Sequence, residues 1–229
     1  MGGTAGTKAK RSSSASNVYT PRAFAEDRLP VLHEAIRRHP FGTLVTAGEG
    51  GIEASHVPFV LAPDEGPYGT LYCHVARGND HVTRHVGEAL SIFAGPHAYI
   101  SPNGYPGKAE HHREVPTWNY IAVHVYGRPE TFTEPTLLRA LLDRLTAQSE
   151  KDAAQPLPWQ VGDAPAEYLT AMYRGIVGIR IAIDRIEGKW KLGQNRTDAD
   201  RIGAATLLAE RTGDDEQAIA AAMLAARNV

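Results

Sequence analysis

The chain has 229 residues, of which 42% are hydrophobic and 22% charged, with a formal net charge of −2 at pH 7. That length can bury a sizeable core in one large domain or two small ones, and the mild acidity lacks the basic excess with which a dedicated nucleic-acid-binding domain neutralises phosphates. No apolar run approaches the roughly 18 residues of a membrane span, and the single cysteine, Cys73, has no internal disulfide partner, which points to a reducing, cytoplasmic setting.

Residues 1–17, MGGTAGTKAKRSSSASN, are basic and rich in Gly, Ser, Thr and Ala, without the apolar stretch of a secretory signal. They read as a disordered tail, with a nucleic-acid arm built on Lys8, Lys10 and Arg11 as the functional alternative. Residues 18–229 then read as one folded domain that ends in helices. Leu29, Leu32 and Ile36 recur at helical spacing, Pro30 suits a first turn, and Pro40 ends the helix. The stretch GTLVTAGEGGIEASHVPFVL reads as two strands around a Gly-rich hairpin at residues 48–51. A loop, a strand over TLYCHVA, a short helix over NDHVTRHV capped by Asn79 or Asp80, and a strand over ALSIFAG follow. Residues 101–116 read as loop.

From Thr117 the run TWNYIAVHVYGRPETF reads as one long strand with two distinct faces. Asn119, Ile121, Val123 and Val125 form a core face. Trp118, Tyr120, Ala122, His124 and Tyr126 form an aromatic and polar face suited to a cleft or a subunit contact. TLLRALLDRLTAQSE is an amphipathic helix after Pro135, and AEYLTAMY a second. GIVGIRIAIDRIEGKWKL reads as a final long strand, followed by two helices, the first with Thr197 and Asp200 in a capping-box arrangement. Six strands with peripheral helices point to a mainly β, α+β architecture, an antiparallel barrel.

Among the ten histidines, His56, His74 and His124 fall inside strands. His81 and His85 stand one helical turn apart but lack the partners of a zinc pattern, so a solvated helix face is the simpler reading and no metal site is assigned. His111 and His112 fall in loop. Cys73 and His74 are adjacent in a strand and therefore point to opposite faces, which excludes them as a catalytic pair and leaves Cys73 an inert buried thiol. Arg77, Gly78 and Asn79 leave a strand for a helix start, where a guanidinium and free amides suit a phosphate or carboxylate; an ordinary capped turn is the competing reading. Thr117 and Asn119 open the long strand on one face, with Trp118 opposite. EGKWKLGQNR, residues 187–196, ends the last strand on an unusual density of donors, with Lys189 and Lys191 on one face and Trp190 and Leu192 on the other.

Six segments in this order resemble the PaiB family, the FMN-binding negative transcriptional regulators: YTPRAF (19–24), SHVPF (55–59), HVARGN (74–79), FAGPHAYISPNGY (93–105), VPTWNYIAVHVYG (115–127) and IEGKWKLGQNR (186–196). The resemblance implies an FMN-binding split β-barrel of six antiparallel strands, related to the flavin-dependent pyridoxine phosphate oxidases. It further implies a homodimer with FMN at the subunit interface and a role in gene repression. On that basis Ser55, His56, His74, Arg77, Asn79, Thr117, Trp118 and Asn119 are expected to line the cofactor pocket, with Arg77 and Lys189 or Lys191 at its anionic end. Piperazate synthases share the fold and bind haem b, so haem is the alternative cofactor, with His56 or His74 as axial ligand. Three readings stay open: a cofactor-binding regulator, a flavin- or haem-dependent enzyme, and a cofactor-free dimer. Direct DNA binding gains no support from the charge, and the chain shows no convincing helix-turn-helix.

Overall fold

The computed structural model describes residues 18–48, 50–79, 81, 87–153 and 156–226. The tail over 1–17 and most of the helix expected over NDHVTRHV, including Asp80 and His85, lie outside the described residues. The elements in chain order are β1 (Ala25–Glu26), α1 (Leu29–Arg38), β2 (Phe41–Gly48), β3 (Gly51–Pro58), β4 (Val60–Ala62), β5 (Thr70–Ala76), β6 (Ala89–Ile100), α2 (Gly107–His111), β7 (Thr117–Gly127), β8 (Pro129–Phe132), α3 (Pro135–Ala153), α4 (Ala166–Tyr173), β9 (Ile176–Ala182), β10 (Arg185–Lys191), α5 (Asp198–Ala209) and α6 (Asp214–Ala225).

The strands form two antiparallel sheets, one of six strands in the order β1-β10-β7-β6-β2-β3 and one of four in the order β4-β5-β9-β8. This is a split barrel: the sheets face each other across a shared core without closing. Period-two patterning makes it so. Leu71, Cys73 and Val75 of β5 and Val177, Ile179 and Ile181 of β9 point inward, where they meet Leu44, Phe93, Val123 and Val125 of the large sheet and Leu32 and Ile36 of α1. Cys73 is fully buried in this layer, and burial pushes its thiol up to about 12, so it is the inert thiol its position implied.

Two expected long strands each divide between the sheets. The run from Thr117 leaves the large sheet after Gly127 and enters the small one at Pro129, and the run from Gly175 crosses back between Ala182 and Arg185. Both crossings share one corner, tied by the Asp184 amide donating to the Tyr126 carbonyl at 2.9 Å. Alternation continues through the first crossing, but at the second the inward apolar residues change parity, from Ile179, Ile181 and Ile183 to Ile186, Trp190 and Leu192. The segment 101–116 also holds more structure than a loop: a 3-10 turn over Pro102–Gly104 and the short helix α2.

A second cluster joins α5 and α6 to the far end of β6. Ala98 and Ile100 pack with Leu192, Ala205, Leu208, Ile219 and Met223. Thr197 caps α5 as its spacing predicts, accepting from the Asp200 amide at 3.2 Å and donating to the Asp200 carboxylate at 2.9 Å. A third, smaller cluster seats Leu141 and Leu145 of α3 on Val60 of β4. Among the described residues no helix is long and apolar enough to cross a membrane.

Candidate functional site

The outer face of the six-stranded sheet is where the EGKWKLGQNR segment comes to rest. Register sets its composition, because residues paired across antiparallel strands share a face. Lys191 pairs with Tyr120, which pairs with His97; Trp118 pairs with Tyr99; Glu187 pairs with His124, which leads through Ile92 and Thr43 to His56. The presence of His97 and Tyr99 on this face depends on a bulge in β6 between Ala94 and His97. Up to Ala94 the even residues point outward. The bulge reverses the parity, so that the odd ones do so afterwards.

Most donors of the segment can be traced. Gln194 is spent on the strand's own backbone: its carbonyl accepts from the Leu192 amide at 2.8 Å and its amide donates to the Trp190 carbonyl at 2.7 Å. Gly193 makes the turn between them with φ of +86°, a left-handed conformation that a side chain would strain. Arg196 pairs with Glu114 and lies over the Tyr105 ring at 4.4 Å. Trp190 and Leu192 turn inward to the α5–α6 cluster.

The two lysines remain. Lys191 Nζ donates to Thr117 Oγ1 at 2.6 Å, and Lys189 Nζ donates to the Tyr19 carbonyl at 2.8 Å and lies 5.5 Å from the Tyr120 ring centre. Among the described residues neither lysine pairs with a carboxylate. Burial, with Lys189 and Arg196 as like charges nearby, holds the Lys191 ammonium below the usual lysine range, although Tyr120 opposes the shift. Beside them Trp118 is 53% exposed and Tyr99 40%, in edge-on contact with centroids 6.1 Å apart, and His97 lies 5.9 Å from Trp118. Uncompensated cations next to exposed aromatic rings make a surface suited to a planar, anionic ligand.

The structure brings Thr117, Trp118, Lys189 and Lys191 together here and places the other expected pocket residues elsewhere. Asn119 is buried beneath the sheet, its amide 3.3 Å from Met223 Sδ. Ser55 accepts from Asn79 Nδ2 at 3.0 Å on the inner side of β3, beside the hydrogen bond between Thr46 and His81 at 2.7 Å. His56, its chain neighbour, is exposed on the outer face with its ring 6.3 Å from that of Phe41. Arg77 spends its guanidinium on carbonyls, 2.6 Å to Arg174 and 3.3 Å to Ile176, and so ties the end of β5 to the start of β9. His74 is half-buried in the small sheet, its Nδ1 without a partner among the described residues, and burial depresses its pKa.

Sequence reasoning missed Tyr19, His97 and Tyr99 as members of this face. Tyr19 arrives through the β1–β10 pairing, which a two-residue strand does not announce. His97 and Tyr99 follow from the bulge, for which the adjacent Gly95 and Pro96 were the available signal.

Comparisons with known proteins agree with this architecture. A family model described as "Putative FMN-binding domain" matches residues 18–185. An uncharacterized protein of Emericella nidulans is 33% identical over 221 residues, covering 81% of this chain and 88% of that protein. The "Protease synthase and sporulation protein PAI 2" of Bacillus subtilis is 31% identical over 185 residues, covering 80% of this chain and 85% of the relative. Among solved structures, the FAD and heme binding protein from Mycobacterium smegmatis superposes with a TM-score of 0.52 at 15% identity, over 74% of each chain, a likeness of fold. With the family model spanning most of the chain and the Bacillus relative matched along nearly its whole length, this chain belongs to the PaiB family of FMN-binding split-barrel proteins.

Proposed function

We propose that the chain binds FMN on the outer face of its large sheet, at the interface of a homodimer, and acts as a negative regulator of transcription. The observation that carries the cofactor reading is the pair Lys189 and Lys191, two ammonium groups without carboxylates beside the exposed rings of Trp118 and Tyr99. In this reading the lysines and Thr117 hold the phosphate and the rings take the heterocycle, while bound FMN supplies electron or hydride transfer. Thr117 orients Lys191, and the half-buried setting of that ammonium strengthens its bond to an anion. His56 on β3 and Lys189 on β10 lie on this one face, so a second copy packed on it would cover both.

The regulatory half of the proposal rests on the family and on the name of the Bacillus relative. A net charge of −2 favours regulation through cofactor state or a partner over direct grip on DNA. Haem b is the second reading, and His56 favours it, because its imidazole is exposed on the same face. His74 faces out of the other sheet.

Titration of the purified chain with FMN and, separately, haemin, followed by visible absorption and sedimentation, tests the proposal. Saturable FMN binding by a dimer, weakened by Lys191→Ala, is the expected result. A Soret band that His56→Ala removes, without FMN binding, moves the assignment to haem. No saturable binding of either cofactor overturns both.

A further inference from the structure

The opposite side of the molecule carries a cavity that the flavin reading does not use. There α3 crosses the outer face of the small sheet. Leu141 and Leu145 seat it on Val60, and beyond that contact helix and sheet enclose about 520 Å³. This lies in the range of small-molecule sites, roughly 300–1,000 Å³. Its lining divides by chemistry: Phe132, Leu137 and Leu141 form an apolar part, and Arg144 and Arg180 flank Tyr72.

Charge at the two arginines decides what the cavity suits. Arg180 is paired with Glu130 at 3.0 Å. The Tyr72 hydroxyl is already donated to Glu65 at 2.5 Å. Arg144 lies over the Tyr72 ring at 5.3 Å and, among the described residues, meets no carboxylate. The remaining acid of the lining, Glu134, accepts from the Thr133 amide at 3.1 Å just ahead of the helix. Ten residues separate it from Arg144, about 15 Å along a helix axis at ~1.5 Å per residue, so it does not neutralise that guanidinium. One end of the cavity therefore offers a free bidentate donor and the other an apolar wall.

We propose that this cavity binds a small monocarboxylate with an aromatic or branched apolar body, its carboxylate on Arg144 and its body against Phe132, Leu137 and Leu141. The site lies on the sheet opposite the lysine face, so it serves as an effector site separate from the cofactor. Its walls belong to β5, β8, β9 and α3, and β9 continues through the shared corner into β10. Occupancy here thus acts on the same chain segment that presents Lys189 and Lys191.

The test is calorimetric titration of the full chain with 3-phenylpropionate and, as the neutral probe, 3-phenylpropanamide. The acid is expected to saturate and to bind about tenfold more tightly than the amide, the scale of one charge-assisted hydrogen bond. Arg144→Gln should abolish that preference, and Leu137→Glu, at a position 52% exposed on the rim, should weaken the acid by a similar factor. Equal binding of acid and amide, absence of saturation by the acid, or a preference that survives Arg144→Gln overturns the proposal. A chain that prefers the acid yet never binds FMN would sink the flavin reading and leave this one standing.

Discussion

His124 on β7 and Glu187 on β10 are direct register partners, and each keeps one buried polar atom, His124 Nδ1 and Glu187 Oε2, without a hydrogen-bond partner among the described residues. The other Glu187 oxygen accepts from Arg185 at 2.7 Å, and Arg185 itself lies 3.5 Å from the centre of the Tyr126 ring. Burial depresses the His124 pKa below 6.5, Glu187 opposes that shift and Lys189 adds to it. Burial depresses His74 in the same direction. A histidine with a lowered folded pKa is neutral in both states at high pH; as pH falls below 6.5 the unfolded chain takes up the proton first, so stability is lost on acidification. The thermal midpoint should therefore decline as pH is lowered through 6.5. In the double variant His74→Phe/His124→Phe, compared by calorimetry across the same range, the decline should be shallower. An unchanged slope would show that neither imidazole contributes.

The lysine face yields a prediction that separates phosphate recognition from ring recognition. Lys191→Ala removes a cation that nothing else in the described structure neutralises. One charge-assisted bond contributes about 1.5–3 kcal/mol, so FMN affinity should fall about tenfold or more. Riboflavin, which lacks the phosphate, should lose little. Fluorescence titration of both flavins against the wild type and the variant checks this. Equal losses for FMN and riboflavin would remove the phosphate role from Lys191.

Much of the fold was legible because burial follows period two in β5, β7 and β9, and because Pro30, Pro40 and Thr197 mark helix ends in the usual ways. The separation of Lys189 and Lys191 from Trp190 and Leu192 was legible for the same reason. The corner at Tyr126 and Asp184 was legible only as a change of apolar parity between Ile183 and Ile186; its pairing joins segments almost sixty residues apart, which no local pattern shows. Nor could alternation show that Ser55 and Asn79 would meet inside the barrel, or that Lys191 would reach Thr117, whose register partner Ile100 faces inward. Those contacts depend on which strands become neighbours, and a bulge such as that in β6 inverts the parity on which any facing argument rests.

Gly188 is fixed by packing. A Cβ there would collide with Leu32 Cδ2 of α1 and come within 2.7 Å of the Glu26 carbonyl oxygen of β1. Both neighbours are held, Leu32 by full burial in the main core and Glu26 by β1–β10 pairing. Gly188→Ala should destabilise the chain by about 1–3 kcal/mol, the usual cost of overpacking. It should also loosen β1, and with it the approach of Tyr19 to Lys189. Chemical denaturation gives the first effect, and the second appears as weaker FMN binding under native conditions.

Gln194 makes the sharpest distinction between a structural and a ligand-binding donor within one segment. Its side chain closes both backbone groups at the end of β10, and the Leu192 amide it accepts from is buried. Gln194→Ala leaves that amide without its acceptor, a loss of about 1–3 kcal/mol. Gln194→Glu keeps an acceptor for Leu192 but cannot donate to the Trp190 carbonyl, so it should recover part of the loss. Lys191→Ala, by contrast, should leave the denaturation midpoint nearly unchanged while reducing FMN affinity. Denaturation and FMN titration on the same three proteins check this pattern. A Gln194→Ala protein with wild-type stability would show that the turn holds without its clamp.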